Sequence, residues 1–157
     1  FEGGHRIPFL ARWPNQIEAG SSSNETICLT DLLKTCAAMN GVDVPSSAGE
    51  DSYNILPALV GSSSSTPIRE ATISTAGNGA FSVRQGRWKL ELTGSTGGYG
   101  NISQEEVAAQ GLPPVQLYDL ENDIGETNNL YAEYPDVISR LTSLLESYRE
   151  RGRSTRL

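Results

Sequence analysis

Histidine appears once in these 157 residues and cysteine twice, which leaves little from which to build a metal centre. No Cys-x-x-Cys pair or Cys/His cluster offers a zinc site, and a centre built on several imidazoles is excluded, so no metal ligand is assigned. Cationic side chains are also scarce. Twelve Lys and Arg stand against 19 Asp and Glu, for a net charge of −7, which argues against a nucleic-acid partner; such a partner favours a basic face. The acidity reads as solvated surface. No apolar run is long enough to span a membrane, so no membrane partner is expected. A signal peptide is missing too, but the chain opens on Phe1 inside what reads as a working motif. It is therefore expected to be a fragment, and a lost leader would leave the compartment unread. Cys28 and Cys36 lie about 12 Å apart along one expected helix, too far for a disulfide. Core packing is the expected fate of Cys36.

What is present is organised around Phe1-Glu2-Gly3-Gly4-His5-Arg6-Ile7-Pro8-Phe9, followed by Leu10-Ala11-Arg12-Trp13-Pro14. The two glycines permit a tight turn with φ > 0 and close backbone approach. Ile7, Phe9, Leu10 and Trp13 suit the interior of a buried strand that Pro14 ends. Basic groups beside such a turn suit anion binding. The plainer alternative is an Arg paired with a carboxylate and a His that is simply hydrogen-bonded.

Leu29, Leu32, Leu33, Cys36 and Met39 recur at helical spacing behind the cap Thr30-Asp31, and Asn40-Gly41 closes the segment. A core-packing helix is expected there. Ile55 to Leu59 is a short helix, and Ser62 to Thr66 with Pro67 is a low-complexity linker. From Arg69 the pattern turns to strands: Thr72 to Thr75, Ala80 to Gln85 and Arg87 to Leu92. Phe81, Val83, Trp88, Leu90 and Leu92 alternate with Ser82, Arg84, Lys89 and Glu91 around a Gln85-Gly86-Arg87 turn. Thr93 to Gly100 is a Gly-rich loop without the Gly-Lys-Ser/Thr ending of a phosphate loop. Gln104 to Gln110 reads as a short helix and Val115 to Leu120 as a strand. The acidic run 119–130 fails the calcium-loop pattern, with Ile124 at position six and Leu130 at position twelve, and reads as a structural turn. Pro135 opens a last helix with Val137, Ile138, Leu141, Leu144, Leu145 and Tyr148 as its stripe, ending at Gly152. The basic groups at its end, Arg149, Arg151 and Arg153, suit the helix dipole. Asn24-Glu25-Thr26 and Asn101-Ile102-Ser103 are glycosylation triplets.

These segments carry a resemblance. Glu2-Gly3-Gly4-His5-Arg6-Ile7-Pro8 with Arg12-Trp13-Pro14 resembles the E-G-G-x-R-x-P…R-W-P segment of formylglycine-dependent sulfatases. Thr30-Asp31-Leu32-Leu33 resembles that family's D-L-x-P-T helix, with Lys34-Thr35 in place of Pro-Thr. Gly49-Glu50-Asp51-Ser52 with Ile55-Leu56-Pro57-Ala58-Leu59 is similar to D-G-x-S-L-L-P-L-L. Ser82 to Leu90 resembles the A-x-R-x-G-x-W-K-L hairpin. Leu117 to Leu130 resembles L-Y-D-L-x-x-D-P-x-E-x-x-N-L, with Ile124-Gly125 where the family has Pro and its neighbour.

The resemblance implies the C-terminal part of an arylsulfatase-like enzyme of the alkaline-phosphatase-like superfamily. The fold class expected is α/β to α+β. Residues 1–61 would end the catalytic domain, 62–68 would link, and 69–157 would form a small antiparallel sheet packed with a long helix. The intact enzyme would hydrolyse sulfate esters of a carbohydrate or aryl group, using calcium and a formylglycine made within C/S-x-P-S-R. No Cys or Ser here has that pattern, and in the family the metal ligands and catalytic Lys precede the E-G-G segment. No catalytic residue is therefore assigned, and this chain alone is expected to be inactive. Substrate contact is assigned to His5, Arg6 and Asn78, although Ser74-Thr75 stand where many relatives carry His before the Asn78 loop. Arg6 favours a structural ion pair. The partner implied is a sulfated small molecule or glycan, and the compartment implied is periplasmic or extracellular. Part of a related phosphoesterase, or a non-catalytic α+β glycan-binding or structural module, is the alternative. A fragment would expose apolar surface around Ile7, Phe9 and Leu10 and self-associate to cover it.

Overall fold

A computed structural model of the chain describes residues 1–62, 65–97 and 102–156. The elements run in the order α1 (Glu2–His5), a 3-10 turn (Leu29–Asp31), α2 (Leu32–Met39), α3 (Leu56–Leu59), β1 (Thr72–Thr75), β2 (Phe81–Gln85), β3 (Trp88–Glu91), α4 (Gln104–Ala109), β4 (Gln116–Asp119) and α5 (Pro135–Arg151). They gather into two compact units, each drawn from two stretches of sequence. One comprises 1–7 with 73–147, and the other comprises 8–72 with 148–157.

The first unit is built on a four-stranded sheet of order β1-β2-β3-β4. β2 and β3 form an antiparallel hairpin across Gly86-Arg87, in register Val83↔Leu90 and Arg84↔Lys89. Gly86 takes φ 57°, the left-handed conformation that two-residue hairpin turns demand. β4 pairs antiparallel with β3, placing Leu117 beside Leu90 and Tyr118 beside Lys89. Alternation therefore sorts the sheet into two faces. Val83, Leu90 and Leu117 form one and are fully buried. Val137, Leu141 and Leu145, four residues apart along α5, are the buried stripe of that helix. Arg140 of α5 donates to the Gln85 side chain on the Val83 face. Ser103 caps α4 by accepting from Glu106 N, while Glu106 accepts from Ser103 N.

The second unit holds α2 and α3 in a framework of polar contacts. Asp31 is fully buried and accepts from Cys28 N at 2.7 Å and from Tyr53 N at 3.0 Å. Thr35 Oγ1 donates to Asp31 O and accepts from Ile55 N, and Ser52 Oγ accepts from Lys34 N. Arg69 lies 3.6 Å from Asp31, donates to Asp51 O and stacks 4.8 Å from the Tyr53 ring centre. The chain end is fastened in the same way: Ser154 N donates to Asp51 Oδ1, and Thr155 N and Oγ1 donate to Glu50 O.

The strands, their hairpin turn and the long helix form where the sequence predicts them. Three expectations do not hold. Glu2 to His5 form a helical turn, and neither Gly3 nor Gly4 has a positive φ or a close neighbour. The strand expected from Ile7 onward is absent: Leu10 is 94 % exposed, and Ile7 and Phe9 also face outward. No described strand lies beside it, and an unpaired strand cannot satisfy its own backbone. Finally, α2 does not pack through its apolar stripe. Cys36, Leu29, Leu32, Leu33 and Met39 are exposed, while Asp31 and Thr35 turn inward because the hydrogen bonds to residues 51–55 hold that side. Both cysteines are free. Ser63 and Ser64 of the linker, Gly98 to Gly100 of the Gly-rich loop, and Asn101 of the second glycosylation triplet lie outside the described residues.

Gly94 marks a close approach in the first unit. A Cβ there would lie 2.3 Å from Pro113 O and 2.5 Å from Val107 Cγ1. One contact is backbone and the other a buried side chain, so neither yields easily. Gly94→Ala is expected to cost about 1–3 kcal/mol in urea unfolding; an unchanged midpoint would contradict this packing.

Candidate functional site

The candidate site grows from the polar face of the sheet. Strand alternation puts Arg84, Lys89, Glu91 and Tyr118 on the side opposite Val83 and Leu90. Lys89 is 0 % exposed. An ammonium taken out of water needs anionic partners, and three carboxylates supply them. Its Nζ lies 2.7 Å from Glu126 Oε1, 3.0 Å from Glu91 Oε1 and 3.2 Å from Glu2 Oε1.

Glu2 links this ammonium to the predicted site residues. Its Oε1 lies 3.0 Å from His5 Nε2, and its Oε2 accepts from Arg6 Nη1 at 3.3 Å and from Arg84 Nη1 at 3.5 Å. The short helix α1 makes this possible, since residues three and four apart share one side of a helical turn. Glu2 N in turn donates to Glu126 Oε2. Glu126 reaches the centre from a left-handed backbone, φ 55°, unusual for a residue with a side chain. Asp123 fixes that turn by accepting from Thr127 N and Asn128 N, both at 2.8 Å. Asn129 Oδ1 accepts from Leu117 N and Tyr131 N, which ties the turn to β4. The acidic run is thus a hydrogen-bonded structural turn.

Electrostatics follow from this geometry. Burial pushes the Glu2 carboxyl upward, but the His5 hydrogen bond and the Lys89 and Arg84 charges outweigh it and hold its pKa below the ordinary value. Burial pushes Lys89 downward, yet Glu126 and Glu91 outweigh it and raise its pKa. Tyr118, buried near Glu126, Glu91 and Asp123, is pushed up to about 12 and stays a phenol. It donates to Gln116 Oε1 at 2.7 Å.

The structure brings His5 and Arg6 together on Glu2, both partly exposed. Asn78 does not join them. It lies exposed in the β1–β2 turn, where its Oδ1 accepts from Ala80 N. Sequence reasoning missed Lys89, Glu91 and Glu126. A lysine inside an alternating strand reads as solvated, and the available signal was Glu2 and Glu126 standing in separate motifs with no cation assigned to them. Lys89 is saturated by carboxylates and so is not an anion receptor; His5 and Arg6 are the more exposed basic side chains around Glu2. Among the described residues no group of three or more His, Cys, Asp or Glu side chains could hold a metal ion. The residues present therefore do not fit calcium. Also among the described residues, no helix is long and apolar enough to cross a membrane.

No family model matches the chain. Individual proteins do. It is 29 % identical over 151 residues to the N-acetylgalactosamine-6-O-sulfatase of Bacteroides thetaiotaomicron, covering 96 % of this chain and 29 % of that protein. It is 30 % identical to human N-acetylgalactosamine-6-sulfatase, covering 96 % of this chain and 31 % of the relative. A solved structure concerned with glycosaminoglycan metabolism by B. thetaiotaomicron superposes with a TM-score of 0.76 at 28 % identity, over 95 % of this chain and 30 % of its own. Another, solved with its substrate D-glucosamine-2-N,6-O-disulfate, matches in fold with a TM-score of 0.63 at 24 % identity, over 88 % of this chain and 27 % of its own. The chain is thus related to sulfatases along nearly all its length and spans about 30 % of theirs.

The charge balance at Lys89 is open to direct test. Lys89→Met leaves three carboxylates without their shared cation and is expected to cost about 3–5 kcal/mol in chemical unfolding at pH 7. The Glu2 contribution is full above about pH 4.5 and lost as pH falls through its depressed value; the Lys89 contribution is full below about pH 10.5 and lost as pH rises through its raised value. The gap between wild type and variant should therefore be widest between those limits and narrow beyond either. A pH-independent gap would contradict the assignment.

Proposed function

We propose that this chain is the C-terminal part of a sulfatase that hydrolyses sulfate esters, and that its own contribution is substrate contact through His5. One observation carries most weight. The three segments that resemble sulfatase motifs, around Glu2, Lys89 and Glu126, converge on a single buried ammonium. Motif resemblance alone does not require such a meeting. The named activities of the relatives, on N-acetylgalactosamine 6-sulfate groups, favour a sulfated sugar as the substrate class.

In this proposal residues 1–61 end an alkaline-phosphatase-like catalytic domain, 62–68 link, and 69–157 form the smaller subdomain. The nucleophile and metal ligands come from elsewhere in the longer protein, which works in the periplasm or outside the cell. Glu2 engages His5 Nε2, so Nδ1 is the ring atom left to meet a sulfate or sugar oxygen. An imidazole nitrogen can act as donor or acceptor, depending on the tautomer. Arg6 adds positive charge beside it but spends one nitrogen on Glu2. Asn78 is a separate contact at the rim.

The test joins this chain to the remainder of the B. thetaiotaomicron sulfatase in place of the matched segment. The isolated 157-residue chain is expected to release no sulfate from N-acetylgalactosamine 6-sulfate, and the joined protein to release it. His5→Ala should lower kcat/KM of the joined protein by roughly tenfold or more, as for loss of a hydrogen bond to a charged group. Unchanged kcat/KM in that variant would remove His5 from the substrate site. A folded joined protein that is inactive would overturn the sulfatase proposal.

A further inference from the structure

The polarity of α2 is inverted. Leu33 and Cys36, three residues apart, share one side of α2, and Leu29 of the 3-10 turn that runs into the helix is exposed with them. Leu29 is 60 % exposed, Leu33 is 52 % exposed, and Cys36 is exposed with them. Leu32 and Met39 are also exposed, as is Val42 just beyond the helix. The buried side carries Asp31 and Thr35, each committed to named hydrogen bonds. A helix bordering solvent ordinarily shows the opposite arrangement. Leu33 touches the chain only at its edge beside Gly49, because the side of the helix that faces the unit is occupied by its polar framework. Exposed apolar faces of this kind mark contact with another protein surface.

We infer that the Leu29–Leu33–Cys36 face, which runs from the 3-10 turn into α2, is an interface to the part of a sulfatase polypeptide that this chain does not span. The inference rests on the sulfatase proposal above. Two observations choose this occupant over a second copy. The relatives are about three times as long, with the match covering 29 % and 31 % of two of them, so most of such a protein has no counterpart here. Each copy of this chain also carries a net charge of −7, which opposes self-pairing. The occupant's chemistry follows from the face itself: leucine and cysteine call for an apolar, uncharged surface. Between Leu29 and Met39 the only charged residues are the buried Asp31 and the half-buried Lys34.

The test compares one substitution in two settings, using the 157-residue chain and the joined protein described above. Leu33→Glu should shift the melting temperature of the isolated chain by no more than about 2 °C, as for a surface change. In the joined protein it should lower melting by roughly 5 °C or more, because the charge would be buried against apolar surface. Leu29→Glu should behave the same way. Equal, small shifts in both settings would overturn the inference, as would a joined protein that fails to fold with the unaltered segment. Sedimentation of the isolated chain adds a third arm: a discrete dimer that Leu33→Glu dissolves would make a second copy the occupant and overturn it too. Activity is read separately. A joined protein that shows the Leu33→Glu loss of stability yet releases no sulfate would sink the sulfatase proposal and leave this interface standing.

Discussion

The structure of the first unit depends on the solvation of one ammonium. Lys89 gives up water entirely, and what replaces it comes from Glu91 on its own strand and from two distant parts of the chain, Glu2 and Glu126. A buried ion cluster adds little net stability over an apolar equivalent, but it is costly to break and strict about geometry. That strictness has local consequences. Glu126 holds a left-handed backbone that its own turn, pinned by Asp123 and Asn129, sustains. The helical turn at Glu2–His5 is held by the Glu2 carboxylate and amide, beside an edge-on contact of Phe1 with Tyr118. His5 and Arg6 are therefore positioned by a carboxylate whose place is set by Lys89.

The two units solve the problem of burial in different ways. The sheet of the first unit has an apolar face built on Val83, Leu90 and Leu117, and α5 supplies a matching stripe. The second unit has little such core. Among the described residues Ile55, Ala71 and Tyr148 are its buried apolar side chains, and Asp31, Thr35, Ser52 and Arg69 are also buried. Its order comes from a hydrogen-bonded framework that leaves leucines on the outside. A unit of this kind gains stability when its outer face is covered.

Legibility in the sequence followed range. Features set by neighbouring residues were readable: the alternation around Gly86, the stripe from Val137 to Tyr148, and the asparagine- and aspartate-rich turn after Asp119. Features set by partners far along the chain were not. Lys89 looked like a solvated strand residue because its partners lie 87 and 37 residues away at Glu2 and Glu126. α2 looked like a core helix because hydrophobic spacing reports an apolar side without saying what lies opposite it. The strand expected after Ile7 failed for the same reason, since its apolar residues were plain but no described strand accompanies it. At the candidate site the residue types of His5 and Arg6 were legible in the opening motif. Their attachment to Glu2, and the separation of Asn78 from both, required the fold.

The most direct test of this account is a double-mutant cycle between Glu2→Gln and Glu126→Gln, read by chemical unfolding at pH 7. These residues are 124 positions apart and meet through the Glu2 amide and the shared Lys89 ammonium. The account predicts non-additive losses, with a coupling energy of about 0.5–3 kcal/mol. Strictly additive losses, within about 0.5 kcal/mol, would contradict the claim that one buried ammonium organises the three motif segments.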